Sequence, residues 1–161
     1  MSTVILLLGG NRGETEKVFQ QAIGLIEQQI GLIQRISSMY KSPPWGFEDE
    51  QWFLNQVIFV ETTLAAGSVL EKTQQIERDM GRKKKTTTHY EGRLLDIDIL
   101  FYDNVIISSP NLTIPHERIH LRRFTLLPLH ELTPGFIHPV MNKSIAELLK
   151  ECPDESEVKK L

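Results

Sequence analysis

One cysteine, Cys152, is all that this 161-residue chain carries, so no intrachain disulfide can form and no cysteine-built zinc site exists. That scarcity fits a reducing compartment. An excess of charge is also missing: 18 Lys and Arg against 21 Asp and Glu leave a net charge of −3. A protein that grips nucleic acid usually shows a basic excess or a basic face, so no nucleic-acid partner is expected. No apolar run approaches the roughly 20 residues of a membrane-spanning helix. The run Val4 to Leu8 has no basic flank or cleavage motif, and reads as a buried strand rather than a signal or span. No internal repeat or low-complexity segment is visible. A cytoplasmic, monomeric protein of one domain, residues 1–161, with its own hydrophobic core is therefore expected.

What is present alternates between two periods. Thr3 to Leu8 is a strand ending in the turn-rich Gly9-Gly10-Asn11-Arg12-Gly13. Val18, Phe19, Ala22, Ile23, Ile26 and Ile30 then repeat at helical spacing over residues 14–29. Leu32 to Lys41 predicts a second strand, and Ser42-Pro43-Pro44-Trp45-Gly46 breaks regular structure. Phe53 to Leu64 predicts a third strand. Ser68 and Glu71 form a capping-box pattern that opens a helix stopped by Gly81. After a polar basic loop, Leu94 to Tyr102 predicts a strand that Asp103-Asn104 turns into Val105 to Ser108. A short strand at residues 112–114 and helices at residues 122–131 and 144–150 complete the chain. The pattern implies an α+β, ferredoxin-like α/β sandwich, with helices packed on a mostly antiparallel sheet.

The most informative stretch is Leu94-Leu-Asp-Ile-Asp-Ile-Leu-Phe-Tyr102. Strand side chains alternate, so Asp96 and Asp98 share one face, their Cα atoms roughly 6.5–7 Å apart. Ile97, Ile99 and Phe101 are expected on the opposite, core face. Paired carboxylates repel unless a cation lies between them. Oxygen ligands on a rigid element suit Mg²⁺, which completes its shell with water and phosphate. A solvated strand face is the alternative.

The loop before this strand holds Arg82-Lys83-Lys84-Lys85 and ends at Arg93. It fits either phosphate recognition by arginine forks or an ordinary solvated charge run. Phe53 and Asn55 share a strand face, an aromatic floor beside a carboxamide that suits a flat polar heterocycle, with Phe124 as an opposite wall. Each could equally be core. Gln74 and Glu77, three apart on the second helix, could meet a nucleotide or face solvent. His116-Glu-Arg-Ile-His120 matches the helical zinc-protease motif. That motif needs a third ligand, however, and Pro128 is expected to break the helix before His130.

Taken together these segments resemble the 6-hydroxymethyl-7,8-dihydropterin pyrophosphokinase family of folate biosynthesis. The matching pieces are Leu8-Gly-Gly-Asn11, Tyr40-Lys-Ser-Pro-Pro-Trp-Gly46, Phe53-Leu-Asn55, Gln74-Gln-Ile-Glu77, Gly81-Arg82, Arg93-Leu-Leu-Asp-Ile-Asp-Ile99, Leu112-Thr-Ile-Pro-His116 and Arg122-Arg-Phe124. The resemblance implies pyrophosphoryl transfer from ATP to the pterin hydroxymethyl group. Asp96 and Asp98 would hold two Mg²⁺ ions, and Arg82 and Arg93 would neutralise charge on the transferred group. Gln74, Glu77, Ile99, Thr113, His116 and Arg122 would contact ATP. Ser42, Pro43, Trp45, Phe53, Asn55 and Phe124 would form the pterin pocket, with the two phenylalanines sandwiching the ring. The family commonly has Trp-Gly-Pro-Arg before the aspartate strand. This chain instead has His89-Tyr-Glu-Gly-Arg93, one residue longer, with Lys84 and Thr88 where arginines often stand.

Two rival readings use the same residues. One is a ferredoxin-like binding module whose acidic strand and basic loop are only surface. The other is a Mg²⁺-dependent phosphotransferase or phosphohydrolase with a different acceptor.

Overall fold

The computed structural model describes residues 1–43, 52–81 and 94–161. In chain order they form β1 (Ser2–Gly10), α1 (Thr15–Gln29), β2 (Leu32–Ile36), β3 (Tyr40–Ser42), β4 (Phe53–Thr62), α2 (Ala66–Asp79), β5 (Asp96–Tyr102), β6 (Ile107–Ser108), β7 (Thr113–Ile114), a 3₁₀ turn (Ile119–Leu121), α3 (Arg123–Leu132), α4 (Ile145–Glu151) and β8 (Lys159–Lys160).

The unbroken apolar run of β1 is explained by its place at the centre of the sheet. It pairs antiparallel with β4 on one side and β5 on the other. Both of its faces are covered by helices, so alternation with polar residues is not required. β2 and β3 lie beside opposite halves of β4, and β8 pairs with β3. All of these pairings are antiparallel, in the β-α-β-β-α-β order of a ferredoxin-like sandwich. On one face Phe19, Ala22 and Ile26 of α1 and Val69 and Ile76 of α2 bury against Val4, Leu6 and Leu8. On the other, Leu126 and Leu129 of α3 and Ile145 and Leu148 of α4 bury against Ile5, Leu7 and Phe101. Each of the Val, Leu, Ile and Phe side chains contributes about 1.5–3 kcal/mol by leaving water.

Five local expectations need correction. The strand expected over residues 32–41 divides, because Ser37 inserts itself into the ladder. Its backbone N–H donates to the Val57 carbonyl at 2.9 Å, and its hydroxyl accepts from the Val57 N–H at 2.9 Å. The chain then restarts at Tyr40. α2 begins at Ala66 with Ala65 as cap, so Ser68 sits inside its first turn and caps nothing. A capping box does occur at α4, where the Glu147 N–H donates to Ser144 Oγ at 3.1 Å and the Ser144 N–H to Glu147 Oε1 at 3.2 Å.

Pro128 lies within α3 and is buried, so packing overrides the local breaker. Residues 105–108 do not fold back on β5, for β6 pairs with β7 instead. Asp103, at φ 49°, turns the chain and accepts the Thr3 N–H at 2.8 Å. Finally, Phe101 is not on the face of Ile97 and Ile99. The register between β1 and β5 slips between Ile5 and Leu6, leaving Leu100 as an extra residue. That bulge puts both Leu100 and Phe101 into the α3/α4 core and sends Tyr102 to the α1/α2 side.

Candidate active site

The Asp-Ile-Asp segment lies before the bulge, so its alternation is regular. Ile97 and Ile99 enter the α1/α2 core. Asp98 stands opposite Leu7 and Asp96 opposite Gly9, which puts both carboxylates on the α3/α4 face. Gly9 also pairs with Asn55, so a single row across the sheet reads Asp96, Gly9, Asn55. A Cβ on Gly9 would stand 2.9 Å from Asn55 Nδ2. Glycine there makes room for the carboxamide, which reaches the Leu8 carbonyl at 3.4 Å. The wall opposite the sheet is the start of α3, where the Arg122 guanidinium lies 5.5 Å from the Phe124 ring centre.

These groups enclose a cavity of about 180 Å³ lined by Leu7, Gly9, Ser42, Phe53, Asn55, Asp96, Asp98, Arg122 and Phe124. Seven residues singled out in the sequence thus converge on one space. Arg122 had been expected among nucleotide contacts, and it stands on the rim shared with Phe124.

A second cleft of about 220 Å³ lies along the outer edge of β5, lined by Leu70, Ile97, Asp98, Ile99, Asn111, Leu112, Thr113, His116 and Glu117. It gathers Ile99, Thr113 and His116, and it shares Asp98 with the first cavity. The edge of β5 is not left bare. The Ile97 N–H donates to Glu77 Oε2 at 2.8 Å, and the Leu100 carbonyl accepts from the His116 N–H at 3.0 Å. Glu77 is therefore a buried brace between α2 and the aspartate strand. Gln74 is exposed, one turn beyond Leu70. Neither lines the two cavities.

Burial holds the His116 imidazole below the ordinary histidine value; Asp98 pulls it upward and Arg122 pushes it further down. Its Nδ1 accepts the Arg118 N–H at 3.2 Å, which places the proton of the neutral ring on Nε2. The zinc-protease motif fails on geometry. Residues 116–120 enter a 3₁₀ turn rather than an α-helix, and among the described residues no three metal-ligating side chains cluster.

Pro43 is half-buried beside Ser42 and does not line the cavity. Trp45, Arg82 and Arg93 lie outside the described residues, as do Lys84, Thr88, His89 and Tyr90. Sequence reasoning missed Leu7, Leu70 and Asn111, and met Glu117 only within the zinc-protease motif. The two leucines looked like any core residue, and Asn111 like ordinary loop polarity. No helix among the described residues is long and apolar enough to cross a membrane.

Known proteins resemble this chain in sequence and in fold. The family model of 7,8-dihydro-6-hydroxymethylpterin-pyrophosphokinase (HPPK) matches residues 5–134. An Aquifex aeolicus protein named 2-amino-4-hydroxy-6-hydroxymethyldihydropteridine pyrophosphokinase is 36% identical over 151 residues, spanning 94% of this chain and 92% of that one. A Haemophilus influenzae protein of the same name is 34% identical over 160 residues, spanning 99% and 98%. Among solved structures, wild-type Plasmodium falciparum HPPK-DHPS with pteroate superposes with a TM-score of 0.77 at 18% identity. It covers 93% of this chain, which spans 44% of that longer one, and speaks for the fold alone. By that family match and those identities over nearly the whole chain, the chain belongs to the 7,8-dihydro-6-hydroxymethylpterin-pyrophosphokinase family.

Proposed function

We propose that this chain transfers the terminal pyrophosphoryl group of ATP to the hydroxymethyl oxygen of 6-hydroxymethyl-7,8-dihydropterin, a step of folate biosynthesis. The observation that carries the reading is the convergence of Asp96 and Asp98 with Phe53, Asn55 and Phe124 on one cavity. An aromatic floor, an aromatic wall and a carboxamide suit a flat, polar ring. The adjoining cleft with Thr113 and His116 suits the nucleotide, and Asp98 stands where the two meet. A ferredoxin-like module with a merely acidic surface would have no reason to place these groups together.

Phe53 and Phe124 hold the pterin ring between them, Asn55 reads its polar edge, Ser42 lines the same cavity, and Pro43 and Trp45 are assigned to the pterin by the family resemblance alone. Ile99, Thr113 and His116 serve ATP in the adjoining cleft, Glu77 braces the aspartate strand behind them, Gln74 stands exposed one turn beyond Leu70, and Arg122 belongs to the rim of the pterin cavity beside Phe124. His116, neutral with its proton on Nε2, donates to a phosphate oxygen without adding charge. Arg82 and Arg93 offset charge on the moving group. The hydroxyl oxygen bonds to the β-phosphorus, the bond from that phosphorus to the α-phosphate bridging oxygen breaks, and AMP leaves with the electron pair. The hydroxyl proton passes to solvent.

Asp96 and Asp98 fit Mg²⁺ by their chemistry: two hard carboxylates on one rigid strand, facing one space, with phosphate oxygens and water to complete each shell of two ions. Bound there, Mg²⁺ supplies charge neutralisation on the phosphates and acidifies the attacking hydroxyl. Such transfers depend mainly on positioning and electrostatics, so no dedicated base is required. Residues 1–161 are read as one such domain, acting in the cytoplasm as a monomer.

The test is product analysis. ATP, Mg²⁺ and the pterin alcohol should yield AMP and the pterin diphosphate, resolved by chromatography and ³¹P NMR. ADP as the nucleotide product would overturn pyrophosphoryl transfer, and omission of Mg²⁺ should stop turnover.

A further inference from the structure

The segment after the matched residues 5–134 carries no assigned role, yet it meets β3 and α3, two elements that frame the pterin side of the site. Asp154 Oδ2 accepts the backbone N–H of Arg123, the first residue of α3, at 3.0 Å. The N-cap residue, Arg122, makes no side-chain capping bond to that helix, so Asp154 supplies from 31 positions away what a local cap would normally supply. Its other oxygen accepts from the Ser156 N–H at 2.9 Å and from the Ser156 hydroxyl, which locks the carboxylate in place. Farther along, β8 pairs with β3 beside Ser42. At the far end of α3, Lys160 lies 3.8 Å from Glu131, whose carboxylate accepts from Tyr40 at 2.7 Å and from Ser38.

Residues 152–161 therefore meet α3 at its two ends and pair with the strand that carries Ser42. The residues on either side of the Asp154 contact, Arg122 and Phe124, are the ones that line the cavity. A helix N-terminus whose N–H groups lack partners frays within its first turn, and here that turn is the wall. We infer that Asp154 is a positioning residue for pterin recognition, acting through Arg122 and Phe124, and that residues 152–161 are a strap that sets the width of the pterin cavity. The inference rests on the pyrophosphokinase reading and goes beyond it in assigning work to a segment outside the family match.

The prediction separates the two substrates. The nucleotide cleft is built on β5, β7 and the residues before the 3₁₀ turn, and no residue of 152–161 lines it. Asp154→Ala should raise the pterin KM about tenfold, the scale of one lost charge-assisted hydrogen bond. The ATP KM and kcat should stay within about twofold. Asp154→Asn keeps an oxygen for the Arg123 N–H and should stay within about threefold of wild type. Ser144→Ala, which strips the cap of α4, is the control for lost stability and should leave both KM values unchanged. An equilibrium fluorescence titration with the pterin alcohol reads the same change without turnover. A wild-type pterin constant in the Asp154→Ala variant would overturn the strap, as would pterin and ATP constants that rise together. A wild-type chain that neither binds nor converts the pterin would instead remove the activity reading beneath it.

Discussion

At the scale of single residues, the site depends on one glycine and two carboxylates. Gly9→Ala would drive a methyl group toward Asn55 Nδ2, 2.9 Å away, and the carboxamide must swing off its place in the cavity. Overpacking of this kind costs about 1–3 kcal/mol. A rise in pterin KM with little change in ATP KM is the expected outcome, read by steady-state kinetics with each substrate varied in turn. Asp96→Ala and Asp98→Ala should each reduce AMP formation by at least roughly a thousandfold, since metal-borne charge stabilisation is worth several kcal/mol. Thermal unfolding should be unchanged or slightly raised, because removing one carboxylate relieves repulsion. Normal turnover in both variants would remove these residues from the chemistry.

Legibility at this scale followed sequence distance. The shared face of Asp96 and Asp98 was readable because strand alternation is a local rule, spanning three residues. Gly9 was visible only as part of a motif; the reason for it, Asn55 next to it in β4, is a matter of register. Asp154 gave no signal, as an acidic residue that caps a helix 31 positions away looks like any other surface aspartate.

At the scale of elements, β5 is held by neighbours on both edges. Glu77 is the brace on the outer edge, and Glu77→Ala would leave the buried Ile97 N–H without its acceptor. A loss of about 1–3 kcal/mol is expected, seen as a fall of several degrees in the circular-dichroism melting midpoint. A midpoint within one degree of wild type would show the brace to be dispensable.

Element types and order were readable from hydrophobic period, while the boundaries that failed were those set by partners. Ser37 breaks β2 from β3 because of what Val57 offers, and the Leu100 bulge reflects the meeting of β5 with β1. α2 starts ahead of its apparent capping box, and Pro128 stays helical because its surroundings bury it. The β3–β8 pair, two residues long, was too short for any period to announce.

At the scale of the molecule, stability depends on protons bound by residues that do not line the cavity. His138 is buried, and its Nδ1 accepts the N–H groups of Val140 at 3.2 Å and Met141 at 3.1 Å while its ring meets Phe101 edge-on. Burial, helped by the charge of His120, holds the imidazole below its ordinary value. The unfolded chain then binds the proton more readily, so folding stability is full above about pH 6.5 and declines as pH falls toward the lower folded value. Glu131 and Asp154 add a second loss further into acid. Burial raises each, but hydrogen bonds outweigh it and keep both below the usual carboxylate range. Their contribution is present above about pH 4 and lost below. Denaturant midpoints measured from pH 8 to pH 3 should show both declines, and His138→Gln should flatten the first. A midpoint independent of pH between 7 and 5 would contradict the assignment.

Asp98 belongs to two chambers at once, a party wall with one negative charge in it. Whatever settles that charge from one side alters the welcome on the other, and thermodynamics makes the favour mutual: the factor by which nucleotide sharpens the grip on pterin must equal the factor by which pterin sharpens the grip on nucleotide.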